Sequence, residues 1–315
     1  MAAQRQAARL IRLLELLNDR SGPVPVGELV ALAEREFGVS EVTLRADLTT
    51  LCAWRPVRKM GRGAFGCAEG GAGGDADPSS LFATRRRSRA EAKAAIAAAV
   101  VQDLRADTGL RVLLLDAGTT AFFVADQLCE VTGLDLIVWT PSLPAATRLA
   151  TAAGISVRLL GGEVHASFAA VAGDETVRSL VALAGCSPEA DIAALPIFPG
   201  AHCILDVNAV GPEGALYTDE STERVQKRLM AHLADTVTVI ADASKLFQPR
   251  FGLLAHEVCS LAELAGRDRI RLVTDSSASE VDQGRCTRMF RMSFPGHEVM
   301  VREEGGAVVL EARRR

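Results

Sequence analysis

The run Val112-Leu113-Leu114-Leu115-Asp116-Ala117-Gly118-Thr119-Thr120 decides how the larger part of this chain folds. Four apolar residues without polar alternation read as a strand buried on both faces, ending at Asp116. Gly118 lets the backbone approach a bound group closely. Thr119 and Thr120 then open a helix and offer hydroxyls and amides at its positive end. The pattern predicts a strand, a turn and a helix with an anion cradle at the turn. An ordinary strand-to-helix turn capped by Thr119 reads the same way.

Working outward, the same alternation repeats. Apolar strands are expected over residues 134–139, 155–160, 192–198, 237–241 and 270–273, and helices over 121–131, 143–153, 174–184 and 222–234. Apolar strands alternating with helices imply an α/β domain with a parallel sheet covered on both faces. A terminal hairpin is expected around Gly305 and Gly306. Open parallel sheets bind ligands at the carboxyl ends of their strands, and polar groups collect there. Thr140 and Ser142 follow the second strand, Gly161 and Gly162 the third, and Asp242, Ser244 and Lys245 a late one. Glu223 and Lys227 stand at i and i+4, on one helix face. Each has a plainer reading: a surface ion pair, a helix cap, a simple turn.

Upstream of residue 61 the period is helical throughout. Leu10, Leu14 and Leu17 stripe a first helix, and Leu29, Leu32, Ala33 and Phe37 a second that stops at Gly38. Ser40 sits where an N-cap belongs, and Leu44, Leu48 and Leu51 stripe a third. Two helices joined by a tight glycine turn have the outline of a helix-turn-helix. The third helix leaves Ser40, Glu41, Thr43, Arg45 and Thr49 on or beside its outer face, as a helix reading base edges requires. Arg58, Lys59 and Arg62 follow in a two-stranded wing, placed to neutralise phosphates. The expected division is a winged helix-turn-helix over residues 1–62, a flexible glycine-rich linker over 63–84 and the α/β domain over 85–315.

The bulk properties agree. Residues 1–66 hold ten Lys or Arg and seven Asp or Glu, so this segment carries +3 while the whole chain carries −4. A small basic module on an acidic body fits a nucleic-acid reader joined to a sensor. No apolar run reaches the roughly 18–20 residues of a membrane span, and Arg5, Arg9 and Arg12 interrupt any signal core, so a cytoplasmic protein is expected. Seven cysteines without a C-x-x-C pair read as reduced thiols. The five histidines complete no tetrahedral metal set, and no phosphate or dinucleotide fingerprint is present, so no metal and no cofactor are expected.

At this point a resemblance becomes specific. Phe37, Val39, Ser40, Thr43, Leu44, Arg45, Asp47 and Leu48 resemble the F-x-V-S-x-x-T-L-R-R-D-L signature of DeoR-type bacterial transcriptional repressors. D-A-G-T-T, T-x-S, L-L-G-G, E-x-x-x-K-R and A-D-x-S-K follow in order, similar to that family's C-terminal sensor domain. The domain is similar in fold to ribose-5-phosphate isomerase. The resemblance implies a repressor that binds double-stranded DNA and is controlled by a phosphorylated sugar or sugar derivative; one winged helix binds too little DNA for high specificity, so a homodimer or homotetramer is expected. Gly118, Thr119 and Thr120 would hold the phosphate, with Lys227 or Lys245 as countercharge. Asp116, Glu223 and Asp242 would take sugar hydroxyls or orient the lysines, and Thr140, Ser142, Gly161 and Gly162 would line the site. Ala46 replaces the second arginine of R-R-D-L, Pro141 replaces the asparagine of T-N-S, Met60 to Ala64 replaces H-G-G-A, and residues 198–219 depart from the pattern. The alternative is a sugar-phosphate isomerase using Glu223 and Lys227, although the D-G-A-D-E run of such enzymes is absent.

Overall fold

The computed structural model describes residues 13, 24–54, 57–60, 63–67, 79–166, 168–186, 195–247 and 256–314. The chain divides into two units, Met1–Leu81 and Phe82–Arg315.

In the first unit, β1 (Val24–Pro25) leads into α1 (Val26–Phe37), α2 (Glu41–Trp54), β2 (Val57–Met60) and β3 (Ala64–Cys67). α1 buries Leu29 and Ala33, four residues apart on one face. It stops at Gly38, whose left-handed backbone (φ 61°) lets its N–H reach the Glu34 carbonyl at 3.0 Å. Ser40 then caps α2, its hydroxyl accepting the Thr43 N–H at 3.4 Å. Leu44 and Leu48 are fully buried on the inner face of α2. The wing is an antiparallel sheet in the order β1-β3-β2, with Phe65 paired to both Val24 and Lys59. The expected first helix lies outside the described residues except for Leu13, which is helical and fully buried.

The linker expected over 63–84 is interrupted at both ends. Ala64–Cys67 is a wing strand with two partners, and Ser79–Arg87 is helix α3; residues 68–78 lie outside the described ones. Phe82 of α3, the first residue of the second unit, meets Phe122 of the same unit edge-on at 5.9 Å.

After α4 (Ala90–Ala106), the second unit is built on one eight-stranded sheet. Its parallel strands are β4 (Val112–Leu115), β5 (Leu136–Thr140), β6 (Ile155–Leu159), β9 (Phe198–Asp206), β12 (Ala234–Ile240) and β14 (Arg269–Asp275). The hairpin β15 (His297–Glu304) and β16 (Ala307–Arg314) extends one edge antiparallel, giving the order β15-β16-β14-β12-β9-β4-β5-β6. The minor strands are the hairpin β7 (Glu163–His165) and β8 (Ala170–Ala172), and a ribbon of β10 (Ala209–Val210), β11 (Ala215–Thr218) and β13 (His256–Ser260).

Helices cover both faces, as the apolar strands require. Leu113 and Leu115 join the core under α4, α5 (Thr119–Leu128) and α6 (Leu143–Leu149), with Ile96, Val124 and Leu149. Leu114 points the other way, into the core under α7 (Asp174–Leu183), α8 (Ser221–Leu233) and α9 (Glu280–Ser293), with Leu180, Leu229 and Phe290. The expected α/β domain is therefore the observed one. One strand is displaced: the strand expected over 192–198 begins at Phe198 and runs to Asp206, in the centre of the sheet. Pro199, which has no N–H to give, is tolerated because it precedes the regular ladders, which begin at Ala201 with β4 and at His202 with β12.

Candidate functional site

Four neighbouring parallel strands end on aspartates. Asp116 follows β4, Asp206 ends β9, Asp242 follows β12 and Asp275 ends β14. All four are at most 5% exposed, and each is met by a cation from another part of the chain.

The deepest pair is Asp116 with Lys227 of α8, 2.5 Å apart and 0% and 1% exposed. Asp116 also accepts the N–H groups of Ala117 (2.8 Å) and Asp206 (3.0 Å). Lys227 also donates to the Asp206 carbonyl at 2.9 Å and stands 3.4 Å from Glu223, which takes the Thr218 hydroxyl at 3.0 Å. Burial, reinforced by Glu223 and Asp206, outweighs Lys227 and lifts the Asp116 carboxyl to about 7. Burial works against the Lys227 charge too, but Asp116 and Glu223 beside it win and hold the ammonium above its ordinary range. Lys227 is thus an internal cation that ties β4, β9 and α8 together. The structure gives it to Asp116 rather than leaving it as a free countercharge for a ligand.

The anion cradle forms where the sequence puts it, but a protein group fills it. The Asp206 carboxylate accepts the N–H of Thr120 at 3.0 Å and of Ala121 at 3.2 Å, at the first turn of α5. Its other oxygen accepts Lys245 at 2.9 Å. A side chain on Gly118 would place Cβ 2.3 Å from the Asp206 oxygen, and the backbone there is at φ +148°, so glycine is what admits the carboxylate. Asp206 has no place among the sequence-derived site residues. It lies 86 residues from the amide it binds, in the stretch that departs from the DeoR-type pattern. Gly118, Thr119 and Lys245 remain half-buried at the surface of this corner.

Asp242 is drawn into a second cluster. It accepts the Ser244 amide and hydroxyl at 3.0 and 2.5 Å and pairs with Arg89 at 3.0 Å. Arg89 also reaches Asp275 at 3.3 Å. Burial opposes the Asp275 charge, but the Ser277 hydroxyl, the Ala243 amide and Arg89 hold its carboxyl below the ordinary range. Beside them Lys93, 5% exposed, donates to the carbonyls of Arg85 and Ser88, both at 2.5 Å. Burial, then Lys245, lowers its ammonium below the ordinary range. Arg89 and Lys93 are the basic residues that sequence reasoning missed.

The remaining candidates serve the scaffold. Thr140 accepts the Ser142 N–H at 3.1 Å, and Ser142 caps α6 through Ala145 at 3.3 Å. Pro141 fits here because this position contributes only its carbonyl, which accepts the Val171 N–H at 2.9 Å. Gly161 and Gly162 pack on α7: the Gly161 carbonyl takes the Thr176 hydroxyl at 2.6 Å, and a Cβ on Gly162 would meet that hydroxyl at 2.2 Å. A cavity of about 340 Å³ lies at the opposite, amino-terminal edge of the sheet, lined by His202, Asp235, Arg269 and Arg313 among others.

In the first unit, Ser40, Glu41, Arg45 and Thr49 are exposed and Thr43 is half-buried. Arg45 pairs with Glu41 at 2.7 Å, and Thr49 bonds the Arg45 carbonyl at 2.7 Å. Val42, 78% exposed, adds an apolar group to this face that the sequence reading passed over. Arg58 and Lys59 lie on β2, opposite Gly66 and Phe65, and Arg62 lies outside the described residues. No helix among the described residues is long and apolar enough to cross a membrane.

A protein of Escherichia coli O157:H7 whose name assigns it to repression of the aga operon is 28% identical over 229 residues, 72% of this chain and 74% of that protein. Among solved structures, ribose 5-phosphate isomerase of Plasmodium falciparum is 10% identical, over 70% of this chain and 78% of that one, with a TM-score of 0.31. Ribose 5-phosphate isomerase A of Neisseria gonorrhoeae is 14% identical, over 71% and 76%, with a TM-score of 0.32. The model of the DeoR C terminal sensor domain matches residues 88–265, more than half of the chain, from α4 through Asp116, Asp206 and Asp242 to β13, and the protein belongs to the DeoR family of transcriptional repressors.

Proposed function

We propose that this protein represses transcription by binding double-stranded DNA through α2 and the wing, and that a phosphorylated sugar or sugar derivative bound at the strand-end cluster lowers its DNA affinity. The observation that carries the DNA half is the split of α2. Leu44 and Leu48 are sealed against the scaffold, while Ser40, Glu41, Arg45 and Thr49 face outward with Val42. Arg45 and Thr43 can reach base edges, and Val42 can meet a thymine methyl. Arg58, Lys59 and Arg62 then neutralise backbone phosphates. One winged helix covers too little DNA for high specificity, so the protein works as a homodimer or homotetramer on paired half-sites.

The sensor half rests on Thr119, Thr120 and Gly118 at the head of α5, with Lys245 and Asp206 beside them. Effector and DNA are linked: a ligand that binds one arrangement of the sensor better than another shifts the population, and DNA affinity follows. Glu223 and Lys227, the pair an isomerase would use, are 5% and 1% exposed and bonded to Thr218 and Asp116, so a regulator rather than an enzyme is the better reading.

A gel shift on DNA upstream of the protein's own gene, at stated salt and with and without a panel of sugar phosphates, tests both halves. A sharp shift relieved by one phosphorylated sugar is expected. A shift insensitive to every sugar phosphate removes the sensor claim, and no shift removes the DNA claim.

A further inference from the structure

We propose that Asp206 is a built-in rival of the effector's phosphate: carboxylate and phosphate compete for the same donors, and Asp206 thereby sets the affinity of the site. This rests on the reading of that corner as the phosphate site.

The donors at this corner form one set. The amides of Thr120 and Ala121 and the ammonium of Lys245 all converge on the two oxygens of Asp206. Two backbone amides at a helix head plus a lysine make an anion site by chemistry. A second feature points to an oxygen-rich occupant. The Thr120 hydroxyl, on a fully buried side chain, has no hydrogen-bond partner among the described residues. A carboxylate brings two oxygens and one negative charge. A phosphate monoester brings three terminal oxygens and about −1.5 to −2, and so can satisfy the amides, the lysine and a hydroxyl together.

Asp206 is also placed to yield. Its main chain is pinned, the N–H to Asp116 at 3.0 Å and the carbonyl to Lys227 at 2.9 Å. Displacing the carboxylate therefore requires movement of the side chain alone. Its backbone anchors, Asp116 and Lys227, do not belong to the contested set. The rivalry also filters ligands. Acetate or chloride gains little over a carboxylate already in place, whereas a dianion carrying further sugar contacts displaces it.

The test uses the full-length protein and inorganic phosphate as the probe, at constant ionic strength, read by thermal shift and calorimetry, with chloride as control. Asp206→Asn keeps the shape and removes the charge, and Asp206→Ser is a second variant with a different fit. Urea midpoints establish that each is folded. Either folded variant should bind phosphate at least about tenfold more tightly than the wild type. Adding Lys245→Met to it should abolish the gain. Unchanged phosphate affinity in both folded variants overturns the rivalry. If the wild type nonetheless responds to a sugar phosphate in the panel, the sensor reading survives that result. If no form responds to phosphate or to any sugar phosphate, both fall together.

Discussion

Replacing Lys227 by methionine tests the internal pair on which the whole corner is hung. The methionine fills similar space but leaves Asp116, 0% exposed, with only the amides of Ala117 and Asp206. Removing one partner of a buried ion pair costs about 3–5 kcal/mol. For a unit the size of the sensor, at about 2–4 °C per kcal/mol, the midpoint should fall by roughly 6–20 °C. The loss should depend on pH with a definite sign. Asp116 is already raised from 3.8 to about 7, chiefly by burial. A carboxyl whose folded pKa exceeds its unfolded value contributes stability that is complete below the unfolded value and disappears as pH rises through the folded one. Without Lys227 the carboxyl moves higher still, so the deficit should be largest near about pH 8 and shrink toward about pH 5, where Asp116 can hold a proton. Urea denaturation followed by circular dichroism at both pH values measures this. Asp116→Asn combined with Lys227→Met should be less destabilised than Lys227→Met alone, because no charge is stranded. A deficit under about 1 kcal/mol, or one equal at both pH values, would refute the account of Lys227 as the compensating cation.

Other substitutions probe the remaining parts. Gly118→Ala should destabilise the sensor by about 1–3 kcal/mol through backbone strain and collision with Asp206, read as a lowered urea midpoint; a neutral effect would mean the corner is looser than described. Arg45→Ala should cost about 1–3 kcal/mol of specific DNA affinity, provided Arg45 exchanges Glu41 for a base, and equal losses on specific and random DNA would reassign it to phosphate contact. Lys59→Ala should weaken binding on all sequences alike and reduce the salt slope by about 1; a slope unchanged from wild type would remove Lys59 from the interface. Arg89→Ala should raise amide exchange across α3 by about tenfold. Because Arg89 helps hold the Asp275 carboxyl below its ordinary range, that variant should also lose less stability than wild type as pH falls through the range of the Asp275 carboxyl. Unaltered α3 exchange would sink the anchoring role.

Much of this was legible from local pattern. The unbroken apolar run Val112–Leu115 reads as a strand with two buried faces, and Gly38 after Phe37 as the stop of α1, where the structure has a left-handed turn. The head of α5 was found because Gly118 and the two threonines sit together in the chain. Asp206 was not legible, because its partners are far away in sequence and because β9 opens with Phe198-Pro199-Gly200-Ala201-His202, which disguises a central strand. Lys93 hid in an alanine-rich helix, where a lone lysine reads as a solvated one; burial in α4 is decided by α3 folding back over it. Helix α9 carries its stripe at Cys286, Met289, Phe290 and Ser293, but Gly284 and the surrounding charges obscured it. The wing ends five residues later than composition implies, because the glycine-rich Ala64–Cys67 finds partner strands.

Arg89 has one further consequence. It clamps the ends of two sheet strands, and its own backbone bends left-handed at φ 53°, where α3 gives way to α4. The residue that balances the charge of the strand ends therefore also sets the turn between two consecutive helices, so the electrostatics of the sheet's carboxyl edge and the course of the backbone are decided by one residue.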